Sequence, residues 1–201
     1  MSRRKPRAAA RAVVIATAPK QPRKLDLGSG PRPAEGYEGV DIVPGVTTHS
    51  FDLANGTPWP FADDSVGELR SCHFIEHVPM TYVGQRNQDA LLWFFDEAYR
   101  IAVDGATFTL QWPALQSVRA FQDPTHRRFI PAETLAYLSR ENRRAMGLEH
   151  YRVSCNWVTL ACNPTVRTEH TTRAVEVQRR MYRETWGFSE DFVATLKAVK
   201  A

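Results

Sequence analysis

The sequence predicts an α/β domain, a three-layer sandwich in which helices pack on a mostly parallel sheet. Three observations predict it. Short apolar runs alternate with a helical pattern, which is the signature of a parallel sheet with helices on its faces. The residues able to do chemistry fall at the ends of those runs, where ligands bind in open α/β sheets. Two apolar runs lie close together late in the chain, as expected for a hairpin and an antiparallel edge strand.

Taken in order, residues 24–27 form a strand that stops at Gly28-Ser29-Gly30-Pro31. Residues 39–43 are a second strand, closed by Pro44-Gly45, and residues 48–53 a third. Asn55-Gly56, Pro58 and Pro60 make residues 54–64 a loop, and residues 66–74 a fourth strand follows it. Across residues 87–102, Leu91, Leu92, Phe95, Ala98, Tyr99 and Ala102 recur at helical spacing and Asp104-Gly105 stops the helix. Its aromatics Trp93, Phe94, Phe95 and Tyr99 read as core. Residues 106–112 are the fifth strand. Pro131 in a first turn, with Glu133 placed for the helix dipole, starts a helix over residues 131–139. Residues 151–155 and 157–162 complete a sheet of seven strands, with Asn163-Pro164 as a turn. Residues 168–185 and 189–200 read as helices. The expected organisation is a basic tail at residues 1–23, the domain at 24–165 and a helical extension of it at 166–201.

The chain has 201 residues, 43% hydrophobic and 24% charged, which suits one globular domain and excludes a disordered chain. No apolar run approaches the roughly 20 residues needed to cross a bilayer, so a soluble protein is expected. Residues 1–24 carry eight basic residues and no acidic one, leaving 18 basic against 22 acidic residues downstream. Such an arm is a solvated terminus or a nucleic-acid contact. The apolar stretch of residues 12–18 is short and is followed by more positive charge, unlike a signal peptide. Cys72, Cys155 and Cys162 show no Cys-x-x-Cys spacing, which favours a reducing compartment and cytoplasmic localisation.

Four phrases carry chemistry. Leu25-Asp26-Leu27-Gly28-Ser29-Gly30 lets the backbone turn sharply and approach a ligand. Val40-Asp41-Ile42 puts a carboxylate at a strand end, where it can accept from both hydroxyls of a ribose. Phe51-Asp52-Leu53 offers a carboxylate suited to an adenine amino group. Ser71-Cys72-His73-Phe74-Ile75-Glu76-His77-Val78-Pro79 gathers polar groups at the end of the fourth strand. In this order, joined by Pro58-Trp59-Pro60-Phe61, Asp63-Asp64-Ser65-Val66 and Asp123-Pro124-Thr125-His126, the set resembles the small stand-alone type of class I S-adenosylmethionine-dependent methyltransferase, over residues 24 to about 163.

The resemblance implies a Rossmann-like fold, S-adenosyl-L-methionine as cofactor and an unidentified methyl acceptor. It implies cofactor contacts from Asp26, Gly28, Ser29, Gly30, Asp41, Ile42, Asp52, Leu53 and His73. Glu76, His73 and His126 become the candidates for a catalytic base. The Arg- and Glu-rich C-terminal helices then cover the acceptor site or form a homodimer contact. Two features depart from the family. Only residues 28–38 separate the first two strands, fewer than a helical crossover usually takes, so the first helix shrinks to a turn and the third glycine is missing. Gly67 stands where the family usually has an aspartate.

Rival readings are a zinc hydrolase, a dinucleotide oxidoreductase and a non-catalytic binding module. His73-x-x-Glu76-His77 matches a zinc-peptidase pattern, with Glu141 or Glu149 as a third ligand, but Pro79 allows no helix there. A cation held by Glu76, His77 and His126 is a separate option, set against ordinary structural hydrogen bonding of these histidines; the expected assignment is no metal. Position 33 is Pro33 and Asp41 follows Gly28 too closely for a dinucleotide fingerprint. The fold alone allows the binding module. No Asn/Asp-Pro-Pro-aromatic phrase and no Pro-Cys nucleophile is present. Arg127, Arg128, Arg140, Arg143 and Arg144 are either an anion site or a solvated face.

Overall fold

A computed structural model describes residues 22–166 and 168–200. The basic tail expected at residues 1–23 lies outside the described residues except for its last two positions. The chain opens with strands β1 (Arg23–Leu27), β2 (Glu38–Asp41), β3 (His49–Ser50) and β4 (Val66–Cys72). A two-stranded ribbon, β5 (Tyr82–Val83) with β6 (Gln88–Asp89), leads into helix α1 (Ala90–Ile101). Strand β7 (Ala102–Pro113), the short helices α2 (Arg119–Gln122) and α3 (Arg140–Ala145), strand β8 (Trp157–Val166), helix α4 (Val175–Glu184) and strand β9 (Ser189–Ala198) complete it. The seven-stranded sheet has the order β3-β2-β1-β4-β7-β9-β8. All neighbours are parallel up to β7, and β9 runs antiparallel to both β7 and β8. The expected mostly parallel sheet is present, and its antiparallel strand is one place in from the edge.

The core lies on one face of this sheet. In β7 the side chains of Phe108, Leu110 and Trp112 are fully buried, while Thr107, Thr109 and Gln111 between them are partly exposed. This is the period-two pattern of a strand with one apolar face. Helix α1 lays Phe94 and Phe95 against Phe108. Trp157 of β8 also packs on Phe108, and Tyr182 of α4 packs on Phe192 beside Trp112. The other face carries Lys24, Glu68, Arg70, Val158, Leu160 and Lys197, each partly or well exposed. The fold is the expected α/β, Rossmann-like one. The links from β1 to β2 and from β2 to β3 contain no helix. A Cβ on Gly67 would come within 2.8 Å of Pro22.

Residues 54–65 are held by charge. The Arg100 guanidinium donates to Glu97, Asp63 and the carbonyls of Trp59 and Phe61, and Glu97 accepts from the Trp59 backbone N–H at 2.9 Å. Trp59 is thereby buried, and its indole N–H reaches the Leu53 carbonyl at 3.3 Å. The segment after β3 is fixed from α1.

Several elements differ from the sequence expectation. Most of residues 189–200, expected as helix, form β9: Phe192, Ala194, Leu196 and Ala198 are buried on alternate positions, the first three facing β7 and Ala198 facing Trp157 of β8. The C-terminal extension is therefore not all helical and is part of the sheet. Residues 151–155, expected as a strand, are irregular because side chains take their backbone groups. Asp96 accepts from the N–H groups of Ser154 and Cys155, and Gln88 donates to the Arg152 carbonyl. The helix expected at residues 131–139 is a 3-10 helix, Ala132–Leu138. The third strand shrinks to two residues, and the fourth ends at Cys72 because His73 takes a positive φ of 52°. No helix among the described residues is long and apolar enough to cross a membrane.

Candidate active site

After β1 the chain moves outward to β2 and β3, then returns to place β4 on the other side of β1. This reversal makes the carboxyl ends of β1 and β4 the topological switch point, the place where open α/β sheets bind ligands. Gly28-Ser29-Gly30 and His73 sit there.

The glycine turn is tied to β2. The N–H groups of Gly28 and Ser29 donate to the Val40 carbonyl at 2.8 and 3.2 Å, and the Gly30 N–H donates to Asp41 Oδ2 at 2.9 Å. Asp41 Oδ1 accepts from the Val43 N–H at 3.2 Å. Each carboxylate oxygen keeps a further lone pair for a ligand hydroxyl. Ile42 beside it is 61% exposed, an apolar surface at a strand end. The two glycines do different work. A Cβ on Gly28 would fall 2.4 Å from the Phe74 ring, so that close approach is used by the protein itself; a Cβ on Gly30 would meet nothing within 4 Å. Ser29 Oγ lies 3.3 Å from Thr47 Oγ1. Asp26 is buried, with Oδ2 accepting from the Ala34 N–H and from Arg70 at 2.9 and 2.8 Å. It therefore shapes the turn from beneath. Asp52 Oδ1 accepts from the Ala54 N–H at 2.8 Å, and Leu53 is buried. Asp41, Ile42 and Asp52 thus lie at or just beyond the ends of β2 and β3, with Gly30 bonded to Asp41, while the surface at Gly28 is covered by Phe74.

At the end of β4, His73 donates its backbone N–H to the Gln111 carbonyl at 2.8 Å, which joins β4 to β7. Its ring lies between two carboxylates: Nδ1 is 3.1 Å from Glu76 Oε1 and Nε2 is 3.5 Å from Asp191 Oδ2. The contact with Asp191 first, then that with Glu76, lifts the imidazole pKa to about 9 against partial burial. Asp191 Oδ2 also accepts from Gln111 and Arg119 at 2.9 and 3.1 Å. Burial pushes Asp191 up, yet its hydrogen bonds from His73 and Gln111 prevail and hold the carboxyl below its usual range. Asp191, Gln111 and Arg119 were not expected from the sequence, because Asp191 was assigned to a helix.

Glu76 and His77 lie on a short 3-10 turn, Ile75–His77. The Glu76 carbonyl accepts from the N–H groups of Arg127 and Arg128 at 2.8 and 3.0 Å, which brings the segment after α2 against this turn. The rings of His77 and His126 meet edge to face, with centroids 4.8 Å apart. Beyond them Phe121 and Phe129 stack at 4.5 Å, with Trp186 5.9 Å from Phe121, and all three are exposed. The arginine cluster is not one anion site. Arg143 is buried and donates to the carbonyls of Tyr137 and Cys155, and Arg128 binds the Val78 carbonyl and Asp89. A cavity of about 540 Å³ lies between α4 and the β8–β9 edge, lined partly by Tyr182, Phe188 and Phe192.

No protein-family model matches the sequence, and no curated protein sequence matches it significantly. Solved structures do. A SAM-dependent methyltransferase from Archaeoglobus fulgidus aligns with 89% of this chain and 86% of its own, at 17% identity and a TM-score of 0.57. The domain has the class I methyltransferase fold. A SAM-dependent methyltransferase from Methanosarcina mazei aligns with 89% of this chain and 93% of its own, at 15% identity and a TM-score of 0.51. The [4+2]-cyclase SpnF aligns with 89% of this chain and 76% of its own, at 12% identity and the same TM-score of 0.51. At these identities the likeness is one of fold, and the methyltransferase fold carries more than one chemistry.

Proposed function

We propose that this domain binds S-adenosyl-L-methionine at the carboxyl ends of β1 and β2 and transfers its methyl group to an oxygen or nitrogen acceptor lying beyond β4 and β7. The observation that carries this reading is Asp41: a strand-end carboxylate that holds the Gly30 turn and stands next to exposed Ile42 at the switch point. Asp41 accepts from the ribose, Asp52 faces the adenine, Ile42 and Leu53 provide apolar surface, and Gly30 with Ser29 lines the path toward the sulfonium. Gly28 and Asp26 act by shaping that turn. The cofactor supplies an electrophilic methyl group, so the protein's share is in-line positioning and exclusion of water.

His73 is a positioning residue on this reading, because both of its ring nitrogens are turned to carboxylates. The lone pairs left for a proton at this end are Glu76 Oε2 and the Nε2 atoms of His77 and His126. The exposed trio Phe121, Phe129 and Trp186 favours an acceptor with a planar or apolar part. The three free cysteines suit a reducing, cytoplasmic setting.

Labelled methyl donor incubated with host-cell extract is expected to give a methylated product with the native protein and none with Asp41→Ala. A product formed equally by both proteins removes Asp41 from the reaction, and a native protein that binds the donor but transfers no label favours a non-methyl chemistry on this fold.

A further inference from the structure

One group of side chains at the sheet's carboxyl edge has unused donor capacity. Each of Glu76, His77 and His126 offers a ligand atom, and these atoms all lie within 4.8 Å of one another. Glu76 is 2% exposed, and its Oε2 has no hydrogen-bond partner, although Oε1 accepts from His73. A buried carboxylate oxygen left unpaired is costly unless something cationic meets it.

The two histidines have their tautomers set from outside. His126 Nδ1 lies 2.8 Å from the Ala120 carbonyl, which can only accept, so Nδ1 carries the proton and Nε2 the lone pair. Thr125 Oγ1 donates to Asp123 Oδ1 at 2.7 Å, so it accepts from His77 Nδ1 at 3.0 Å. His77 is left with its lone pair on Nε2 as well. An outer partner that protonates one ring nitrogen and presents the other is the usual support of a metal-bound histidine. The backbone holds the parts together, since the Glu76 carbonyl accepts from Arg127 and Arg128, next to His126.

We propose that Glu76, His77 and His126 bind one divalent transition-metal cation, with Zn²⁺ the best match to two imidazoles and a carboxylate. Three protein ligands leave a fourth position open, the arrangement of zinc sites that act on a substrate. Neighbouring ligands of tetrahedral zinc are roughly 3.4 Å apart. Closing from 4.8 Å to that spacing requires a shift of the partly exposed His77 side chain. A bound cation occupies the same lone pairs that would otherwise take a proton, so zinc binding also decides between those two roles.

The test is Zn²⁺ retention by the full chain, stripped with chelator and dialysed against zinc without methyl donor. The wild-type protein is expected to hold one equivalent. His77→Ala and His126→Gln should each weaken binding at least about a hundredfold, and Thr125→Val, which removes the outer partner of His77, about tenfold. His150→Ala, at an exposed histidine elsewhere, should retain the metal. Circular dichroism identifies any variant that fails to fold, and the exposed position of Thr125 keeps that variant informative. A wild-type protein that retains no zinc overturns the proposal, as does retention unaffected by His77→Ala, His126→Gln and Thr125→Val. Because the readout involves no cofactor, it can fail while cofactor binding succeeds, and the reverse.

Discussion

Gly28→Ala is expected to destabilise the domain by about 3 kcal/mol or more in denaturant unfolding, from two separable causes. Gly28 has a φ of 73°, where an L-residue costs roughly 1–2 kcal/mol. Its new methyl group would also sit 2.4 Å from the Phe74 ring, which is packed against Phe94 and has little freedom to withdraw. Overpacking of this kind costs typically about 1–3 kcal/mol. Gly36→Ala separates the causes, since Gly36 has a φ of 79° and open space around its missing Cβ. It should lose only the backbone share. Combining Gly28→Ala with Phe74→Ala should cost less than the sum of the single changes. Equal losses at Gly28 and Gly36 would mean that Phe74 does not define this turn.

Asp191→Ala is expected to cost about 2–3 kcal/mol and to loosen the end of β4. Breaking a fully buried ion pair by removing one partner costs about 3–5 kcal/mol, and the value here is lower because His73 and Arg119 are about a third exposed and partly screened. The change leaves Gln111, Arg119 and one nitrogen of His73 without their shared acceptor. Following the His73 ring by NMR should show its pKa falling from about 9 toward its ordinary value. A His73 titration unchanged by the substitution would show that Glu76 alone holds the ring.

Much of this architecture is legible in the residues. β1, β4 and β7 are short apolar or alternating runs punctuated by glycine and proline, and α1 has a clear helical stripe, so their order and the strand-end position of Asp41 follow directly. β9 was hidden by composition. Its Ser189-Glu190-Asp191 start resembles the acidic first turn of a helix, and Ala194, Leu196 and Lys197 are good helix formers. The alternation of Phe192, Ala194, Leu196 and Ala198 was the competing period-two signal, and pairing with β7 makes it the one that prevails. Losing that strand also concealed Asp191, and with it the ion pair on His73.

Other features have no local signal. Residues 151–155 stay out of the sheet because Asp96 and Gln88, far away in sequence, satisfy their backbone groups. His77 and His126 are separated by β5, β6, α1, β7 and α2, and only the adjacency of β4 and β7 with the Glu76 carbonyl brings their rings together. The short link between β1 and β2 did announce its consequence, since it has too few residues for a helical crossover and forms a turn instead.

Calorimetric titration with S-adenosylhomocysteine asks whether Asp41 holds a nucleoside cofactor. The wild-type protein is expected to bind one equivalent, and Asp41→Ala to bind about a hundredfold more weakly, as charge-assisted hydrogen bonds of about 1.5–3 kcal/mol each are lost. Asp41→Asn, which can still accept from the Gly30 N–H, should show an intermediate loss. A wild-type protein that gives no binding heat and no protection of Gly30, Asp41 and Ile42 on addition of the ligand would mean that no cofactor site exists there. Full affinity in Asp41→Ala would contradict the role of Asp41.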